Sequence, residues 1–302
     1  MIVTTNSEES TFKRCERLHY YRYKMLRGSP GKATALRDGA SLHEWLEDFW
    51  LDRQDRRLPE NPGLSALCKG YAARYSGNNF RVIGIEKQLM FSVTNEIQRA
   101  LKLDGLIEDL AGKLWVLEHK SSSQDTSSGS EYWQALRLDT QVSSYILACR
   151  IAGYPVEGVL YDVLNKPRLK QMSATPEADR KYTKAKKDQP SRLYAGQREE
   201  DETDAEFEQR CLEDIAADPD KYYHREYVKR TDEELMEAAN ELSIWSERAV
   251  DNLQRTLLPV KNTAGCMKYN RLCDYFAVCS KAVSIESYPL LDRRHQELEG
   301  VE

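Results

Sequence analysis

Three residues within one short stretch could do chemistry together. Asp104, Glu118 and Lys120 fall in 101–121, LKLDGLIEDLAGKLWVLEHKS. The stretch reads as two strands, 103–110 and 113–119, with Ala111 and Gly112 as the tip of a hairpin. Side chains two apart on a strand share a face, so Glu118 and Lys120 project together at the end of an apolar run. Asp104 opens the neighbouring strand. Two carboxylates and an ammonium on a greasy sheet are costly unless they pair or hold a metal ion. His43, on a helix upstream, and the i, i+4 pair Gln141 and Tyr145, on one face of a helix downstream, could converge on the same place. Two carboxylates and an imidazole form a mixed oxygen–nitrogen ligand set that suits Mg2+ or Mn2+. A lysine two residues after a ligand carboxylate can hold a metal-bound water, or take its proton if its own pKa is depressed. Metal, held water and lysine are the parts needed to attack a phosphodiester.

The elements that must position these groups follow from the rest of the chain. Residues 10–27 read as a short helix capped by Ser10 or Thr11, and GSPGK at 28–32 reads as a loop. Residues 35–51 form a helix with Leu42, Trp45, Leu46, Phe49 and Trp50 as its apolar stripe and His43 at the stripe's edge. A helix over 64–75 and strand over 80–93, in one piece or two, lead into the hairpin. The Ser/Thr/Gly-rich segment 121–130 reads as a mobile loop. One long helix over 132–152 offers Leu136, Val142, Tyr145, Ile146 and Cys149 to the core. GVLYDVL at 158–164 has the pattern of a buried strand. A polar, charged insertion over 166–220 carries a helix at 205–216. Residues 222–229 alternate like an edge strand, and 231–257 form an amphipathic helix that starts on a capping box, Thr231 with Glu234. After Cys279 the charged tail is expected to be disordered. This order predicts an α/β fold, a mixed central β-sheet flanked by helices. It predicts one domain over 1–302: a basic aromatic N-terminal helix (10–37), a catalytic core (80–165), the insertion (166–220), a C-terminal strand, helix and cysteine cluster (221–280), and the tail (281–302).

Composition bounds the function. At 302 residues, 40% apolar and 31% charged, the chain can bury a sizeable core. It has no apolar run of membrane-spanning length, and its start has no signal-peptide pattern, so the expectation is a cytoplasmic protein with no membrane partner. Seven cysteines in a reducing compartment favour metal binding over disulfides for any clustered subset. A net charge of −5 argues against a protein that merely coats nucleic acid. The charge is uneven, however. Residues 13–37 hold eight Lys and Arg against one acid, 166–198 hold ten against three, and 199–220 hold eleven acids against one Arg. In the first zone Arg14, Arg17, Arg22 and Lys24 are interleaved with Tyr20 and Tyr21, a pattern suited to gripping phosphates and stacking on bases.

Taken together, Asp104, Glu118-His119-Lys120 and Gln141-x3-Tyr145, after a helical His43, resemble the PD-(D/E)XK nuclease superfamily. More narrowly, they resemble its branch of RecB-type nuclease domains and CRISPR-associated adaptation nucleases. The resemblance spans 10–279 and is thinnest over 166–220. It implies a restriction-endonuclease-like core. It implies a metal held by His43, Asp104, Glu118 and the backbone carbonyl of His119, with Lys120 assisting the attacking water and Gln141 and Tyr145 orienting the site and the DNA. Glu86 stands where this branch often carries a further strand carboxylate. The resemblance also implies a [4Fe–4S] cluster on Cys15, Cys266, Cys273 and Cys279, although Cys266-x6-Cys273 is a wider spacing than the branch's Cys-x2-Cys. Four thiolates could equally bind Zn2+. Either would tie the two ends of the chain together.

The function so implied is a metal-dependent DNA nuclease, an exonuclease acting on single strands or free ends, from a prokaryote or phage. Recombination, repair and CRISPR adaptation are its possible settings, with a protein partner in such a complex. Two other readings stand beside it. One is a non-catalytic DNA-binding or assembly subunit on the same fold. The other is an enzyme using the same metal logic on another phosphate substrate.

Overall fold

In the computed structural model the strands join in one mixed sheet. The description covers residues 1–30, 34–77, 80–184, 191–268, 271–295 and 298. Strands β1 (Ile2–Thr4), β2 (Arg81–Ser92), β3 (Ile97–Glu108), β4 (Leu114–Ser122), β5 (Val156–Asn165) and β6 (Tyr223–Val228) form a six-stranded sheet in the order β1-β3-β4-β5-β6, with β2 also paired to β3. The β1–β3 and β4–β5 pairs are parallel, and the others are antiparallel. As the alternation predicted, β6 is an edge. The β3–β4 hairpin closes on Gly112, at φ +75°, a conformation glycine adopts without a steric penalty.

Strand parity sorts the core into two layers. From β4 and β5, Val116, Val159, Tyr161 and Val163 face one way. They pack under α5 (Glu131–Ala135), α6 (Thr140–Ile151) and α8 (Asp232–Gln254), through Trp133, Val142, Ile146, Leu235 and Leu242. Trp115, Leu117 and Leu160 face the other way, against Trp50 of α3 (Thr34–Trp50). Beside them the apolar stripe of α3 packs with α4 (Pro62–Tyr75) and α7 (Asp204–Ala217) through Leu42, Trp45, Leu67, Tyr71 and Ile215. The architecture is therefore the mixed sheet flanked by helices that the sequence predicted.

Several boundaries differ from the sequence reading, each for a local reason. The expected helix over 10–27 starts earlier, as α1 (Asn6–Arg14), because the Thr5 side chain accepts from the Glu8 N–H at 3.2 Å. It breaks at Cys15, whose backbone is extended, and resumes as α2 (Glu16–His19) with a π-type turn over Tyr20–Lys24. The single helix expected over 132–152 is two. A 3-10 turn over Leu136–Leu138 separates α5 from α6, and Asp139 caps α6 by accepting from the Gln141 N–H at 2.7 Å. The loop after β4 is pinned. Thr126 is buried, its carbonyl accepts from Trp133 Nε1 at 2.8 Å and its hydroxyl from Asn165 Nδ2 at 2.7 Å. The tail expected to be disordered docks instead. Gly28 N–H donates to Pro289 O at 2.8 Å, Leu291 N–H to Leu26 O at 2.7 Å, and Arg294 pairs with the fully buried Glu8. It covers a carboxylate that would otherwise be buried against His19 alone. The end of the GSPGK loop, Lys186 and Lys187 of the second basic zone, and the last residues of the tail lie outside the described residues.

Candidate active site

The site is built at a fork in the sheet. The β3–β4 ladder ends at the pair Gly105 and Leu117. Continued by one step, that register sets Asp104 opposite Glu118, but here the strands part. β3 runs on to pair with β1, while β4 stays with β5. The His119 N–H is left without a strand partner, and Asp104 Oδ2 accepts it at 2.8 Å. On the other side of β3, the pairs Ile85–Gly105 and Lys87–Leu103 place Glu86 across from Asp104. Glu86, Asp104 and Glu118 thus occupy one row across three strands. Glu86 sits at φ +52°, in the left-handed region, and its carboxylate pairs with Lys102.

Asp104 and Glu118 respond to this neighbourhood in opposite directions. Burial disfavours the charged form of both. For Asp104 the nearby cations win. His43 Nδ1 lies 3.5 Å from Asp104 Oδ2, and its hydrogen bond and charge, with those of His119 and Lys120, hold the carboxyl well below the usual range. For Glu118 burial dominates and the Asp104 charge adds to it, pushing the carboxyl up to about 7 despite its ion pair with Lys120. Glu118 Oε2 is buried with no hydrogen-bond partner among the described residues. Burial alone would lower the Lys120 pKa, but the charges of Glu118 and Asp104 outweigh it and the net shift is upward. Lys120 is therefore an ammonium. The role of proton acceptor, which needed a depressed pKa, does not fit it. His43 behaves likewise: burial lowers its pKa, and Asp104 more than restores it.

The helices supply the remaining groups. From α6, Gln141 Nε2 donates to Tyr145 Oη at 2.8 Å. Burial, then the charges of Glu118 and Asp104, raise the Tyr145 pKa well above its ordinary value, so its hydroxyl keeps its proton. His43, Glu86, Asp104, Gln141 and Tyr145 line one open cleft of about 280 Å³, together with the start of α1 and Leu298 of the docked tail. Residues 43, 86, 104, 141 and 145 are thus gathered by four different elements, α3, β2, β3 and α6. A larger cleft of about 560 Å³ lies past the ends of β4 and β5. Its lysines and arginine are matched by Asp125, Asp218 and Asp220, and the paired carboxylates do not open into it.

Behind the site is a buried network that the sequence reading missed. His119 points away from Glu118, as strand parity requires, and its Nδ1 lies 3.5 Å from Asp162 Oδ2. Asp162 is fully buried and accepts from Tyr71 Oη at 2.5 Å and Arg225 Nη2 at 2.8 Å. Burial pushes the His119 pKa down to about 4, so the imidazole is neutral. The signal was a lone Asp inside the apolar run of β5.

The basic N-terminal zone is placed differently from the expectation. Arg14 Nε donates to Gly265 O at 2.9 Å, Arg17 Nε to Pro259 O at 2.8 Å, and Lys24 to Arg255 O. Arg22 lies over the ring of Tyr23, and Lys24 also over that of Tyr20. Tyr21 is buried and stacks on Tyr275 at 5.7 Å, which removes it from base stacking. These residues fasten the N-terminal segment to the C-terminal one. The four cysteines lie along that seam. Cys15, Cys273 and Cys279 pack around Leu18, Tyr21, Tyr275 and Tyr288. Cys266 accepts from the Cys273 N–H through its carbonyl at 2.7 Å, in the small hairpin of β7 (Met267–Lys268) and β8 (Arg271–Leu272) that precedes α9 (Phe276–Cys279). Burial raises the Cys273 and Cys279 thiols. Among the described residues no three His, Cys, Asp or Glu side chains are grouped closely enough to hold a metal ion, either here or at the fork. No helix among them is long and apolar enough to cross a membrane.

No protein-family model matches the chain, and no curated protein matches it. Among solved structures it is similar to that of "Putative exonuclease" from Eubacterium rectale. The two are 13% identical with a TM-score of 0.45, over 98% of this chain and 93% of that one. Similarity at that level decides nothing about chemistry, which rests on the geometry of the fork.

Proposed function

We propose that the protein is a metal-dependent nuclease of the PD-(D/E)XK kind, hydrolysing phosphodiester bonds in DNA at single strands or free ends. The observation that carries this reading is the meeting of Asp104 and Glu118 in one row of the sheet, with Glu118 buried, its Oε2 unpartnered and its pKa raised to about 7. A cation would relieve each of these penalties at once, and the chemistry of these donors, once drawn together around it, suits Mg2+ or Mn2+. His43, Asp104, Glu118 and the carbonyl of His119 would hold it. When bound, such an ion neutralises phosphate charge and lowers the pKa of water.

The chain's own residues do the rest. Lys120, kept protonated by its two carboxylate neighbours, donates to the attacking water and fixes its direction. Tyr145 keeps its proton and, braced by Gln141, offers a hydrogen bond beside Glu118. The neutral His119 and Asp162 hold the backbone of β4 at the point where Asp104 takes its N–H. The cysteine seam supports a second proposal, that Cys15, Cys266, Cys273 and Cys279 hold a [4Fe–4S] cluster or Zn2+. The support is that all four thiols are free and that Cys15 packs in one cluster with Cys273 and Cys279 from the other end of the chain. Metal analysis of protein purified without oxygen should find iron or zinc bound, lost in Cys273→Ala. A wild-type chain holding neither would remove the cluster from the account.

The nuclease reading is tested by incubating labelled single- and double-stranded DNA with the protein and Mn2+ or Mg2+. Cleavage by wild type and its loss in Lys120→Ala and Asp104→Ala support it. Intact DNA with wild type would replace it by the non-catalytic assembly reading.

A further inference from the structure

The second basic zone builds a separate feature. Around the antiparallel bridge of Tyr182 with Leu193, Thr183 N–H donates to Arg192 O at 2.8 Å and Tyr194 N–H to Lys181 O at 2.9 Å. These bonds define a short two-stranded arm. Its root is fastened where Lys181 N–H donates to Gln197 Oε1 at 2.7 Å and Thr175 N–H to Arg198 O at 2.9 Å. Alternation puts Tyr182 and Leu193 on one face of the arm and Lys181, Arg192 and Tyr194 on the other. Tyr194 is 52% exposed and Tyr182 48%, and Lys181, Lys184 and Arg192 are all exposed.

Lys181, Lys184 and Arg192 carry charge that the described fold does not use. Residues 180–198 hold seven Lys and Arg against one acid, and the strongly acidic run 199–220 follows directly. Yet among the described residues the side chains of Lys181, Lys184 and Arg192 form no ion pair with that run. Acids of that run meet other groups: Glu202 pairs with Arg210, Glu206 with the cap of α7 and Arg198 at the arm's root, Asp214 with Lys221, and Glu199 accepts from Tyr182 Oη at 3.5 Å. An exposed aromatic ring with a cation on either side suits a flexible polyanion whose flat groups are free to stack. A folded acidic protein surface offers the charge without the planar groups, and a DNA or RNA duplex keeps its bases stacked inside.

We propose that this arm is a binding surface for single-stranded polynucleotide, outside the cleft. Lys181, Lys184 and Arg192 take backbone phosphates, and Tyr194 stacks on a base. The proposal extends the nuclease reading by adding a grip on the strand that takes no part in cleavage, and it is tested by binding alone.

The experiment is fluorescence anisotropy of a labelled 20-mer of thymidylate with the full-length protein in EDTA. Tyr194→Ala is expected to weaken binding about tenfold, and Tyr194→Phe, which keeps the ring, to restore it. The double variant Lys181→Gln, Arg192→Gln is expected to flatten the slope of log affinity against log salt by about 0.7 per charge removed. A uridylate 20-mer separates RNA from DNA as the source of the strand, and a duplex is expected to bind more weakly than either. Cleavage of bis(p-nitrophenyl) phosphate, which has no strand for the arm to hold, is expected to be unchanged in these variants. Equal binding by wild type and Tyr194→Ala would overturn the arm while leaving the nuclease reading intact. A wild-type chain that binds no single strand would overturn the arm as well. Binding that depends on Tyr194 in a protein that cleaves nothing would uphold the arm and overturn the nuclease.

Discussion

Asp104 joins the architecture of the site to its chemistry. Its carboxylate takes the N–H that the parting strands leave open, and the same oxygen faces His43. Placing it there is the task of the network behind β4, in which Asp162 neutralises Arg225 and receives Tyr71. Asp162→Ala would leave a largely buried guanidinium without its carboxylate. It should destabilise the fold by about 3 kcal/mol, read from the denaturation midpoint. A loss well under 1 kcal/mol would mean that the cation–π contact with Tyr75, at 3.4 Å, is enough to hold Arg225. The contrast between these two aspartates marks what the sequence makes legible at this scale. Glu118 and Lys120 could be found because strand spacing fixes their shared face, and Asp104 because it opens the neighbouring strand. Asp162 points to the opposite face, and its partners come from positions 71 and 225, which no local pattern links to it. The direction of the Lys120 shift was equally out of reach, because it depends on how deeply two carboxylates are buried around one ammonium.

Among the elements, α8 was read closely from its capping box, whereas the N-terminal helix, given a cap at Ser10 or Thr11, starts on Thr5, and helices interrupted without a proline or glycine were not resolved. Thr231 and Glu234 form the expected capping box of α8. Asp139 is also a cap, but it falls inside a periodic apolar pattern, and the break between α5 and α6 was hidden by it. That break sets the start of the helix that presents Gln141 and Tyr145. The sheet has a similarly unforgiving point at Gly158. A Cβ there would stand 2.4 Å from the Val228 carbonyl oxygen, a backbone atom that cannot turn aside. Gly158→Ala should therefore pry β5 from β6 and cost about 1–3 kcal/mol, measurable by urea denaturation. Wild-type stability in this variant would show that the edge strand shifts freely. β5 also pairs with β4, so the same substitution tests how far strain at the edge reaches toward the carboxylates.

For the whole molecule, alternation and near-continuous apolar runs revealed the layered α/β plan, but not the way the chain ends are joined. The Glu8–Arg294 pair spans almost the entire sequence, and nothing at either position announces the other. The setting of the basic N-terminal zone was hidden for the same reason: Arg14, Arg17 and Lys24 have no evident partner in the sequence and donate to carbonyls of the C-terminal segment in the fold. The insertion over 166–220 has its own anchor, in which Arg210 forks onto Glu202 with both contacts at 2.8 Å. That hydrogen bonding holds the Glu202 carboxyl down to about 2, against an ordinary value of 4.5. The folded state binds this proton less readily than the unfolded one, so the anchor stabilises above pH 4.5 and fades as pH falls toward 2. The stability difference between wild type and Glu202→Gln should be constant at neutral pH and narrow across that acid range. A difference independent of pH would show that Arg210 does not hold the carboxylate.

We propose the fork between β3 and β4 as a metal-dependent site for phosphodiester hydrolysis. Its most direct test is the rate at which labelled single-stranded DNA is cut with Mn2+, comparing wild type with Lys120→Ala in protein of equal thermal stability. Cleavage by wild type is expected, with its abolition by EDTA and a fall of about 100-fold or more in the variant, the loss of one preorganised donor. Cleavage at the same rate by both proteins, or none by wild type with either Mn2+ or Mg2+, would contradict it.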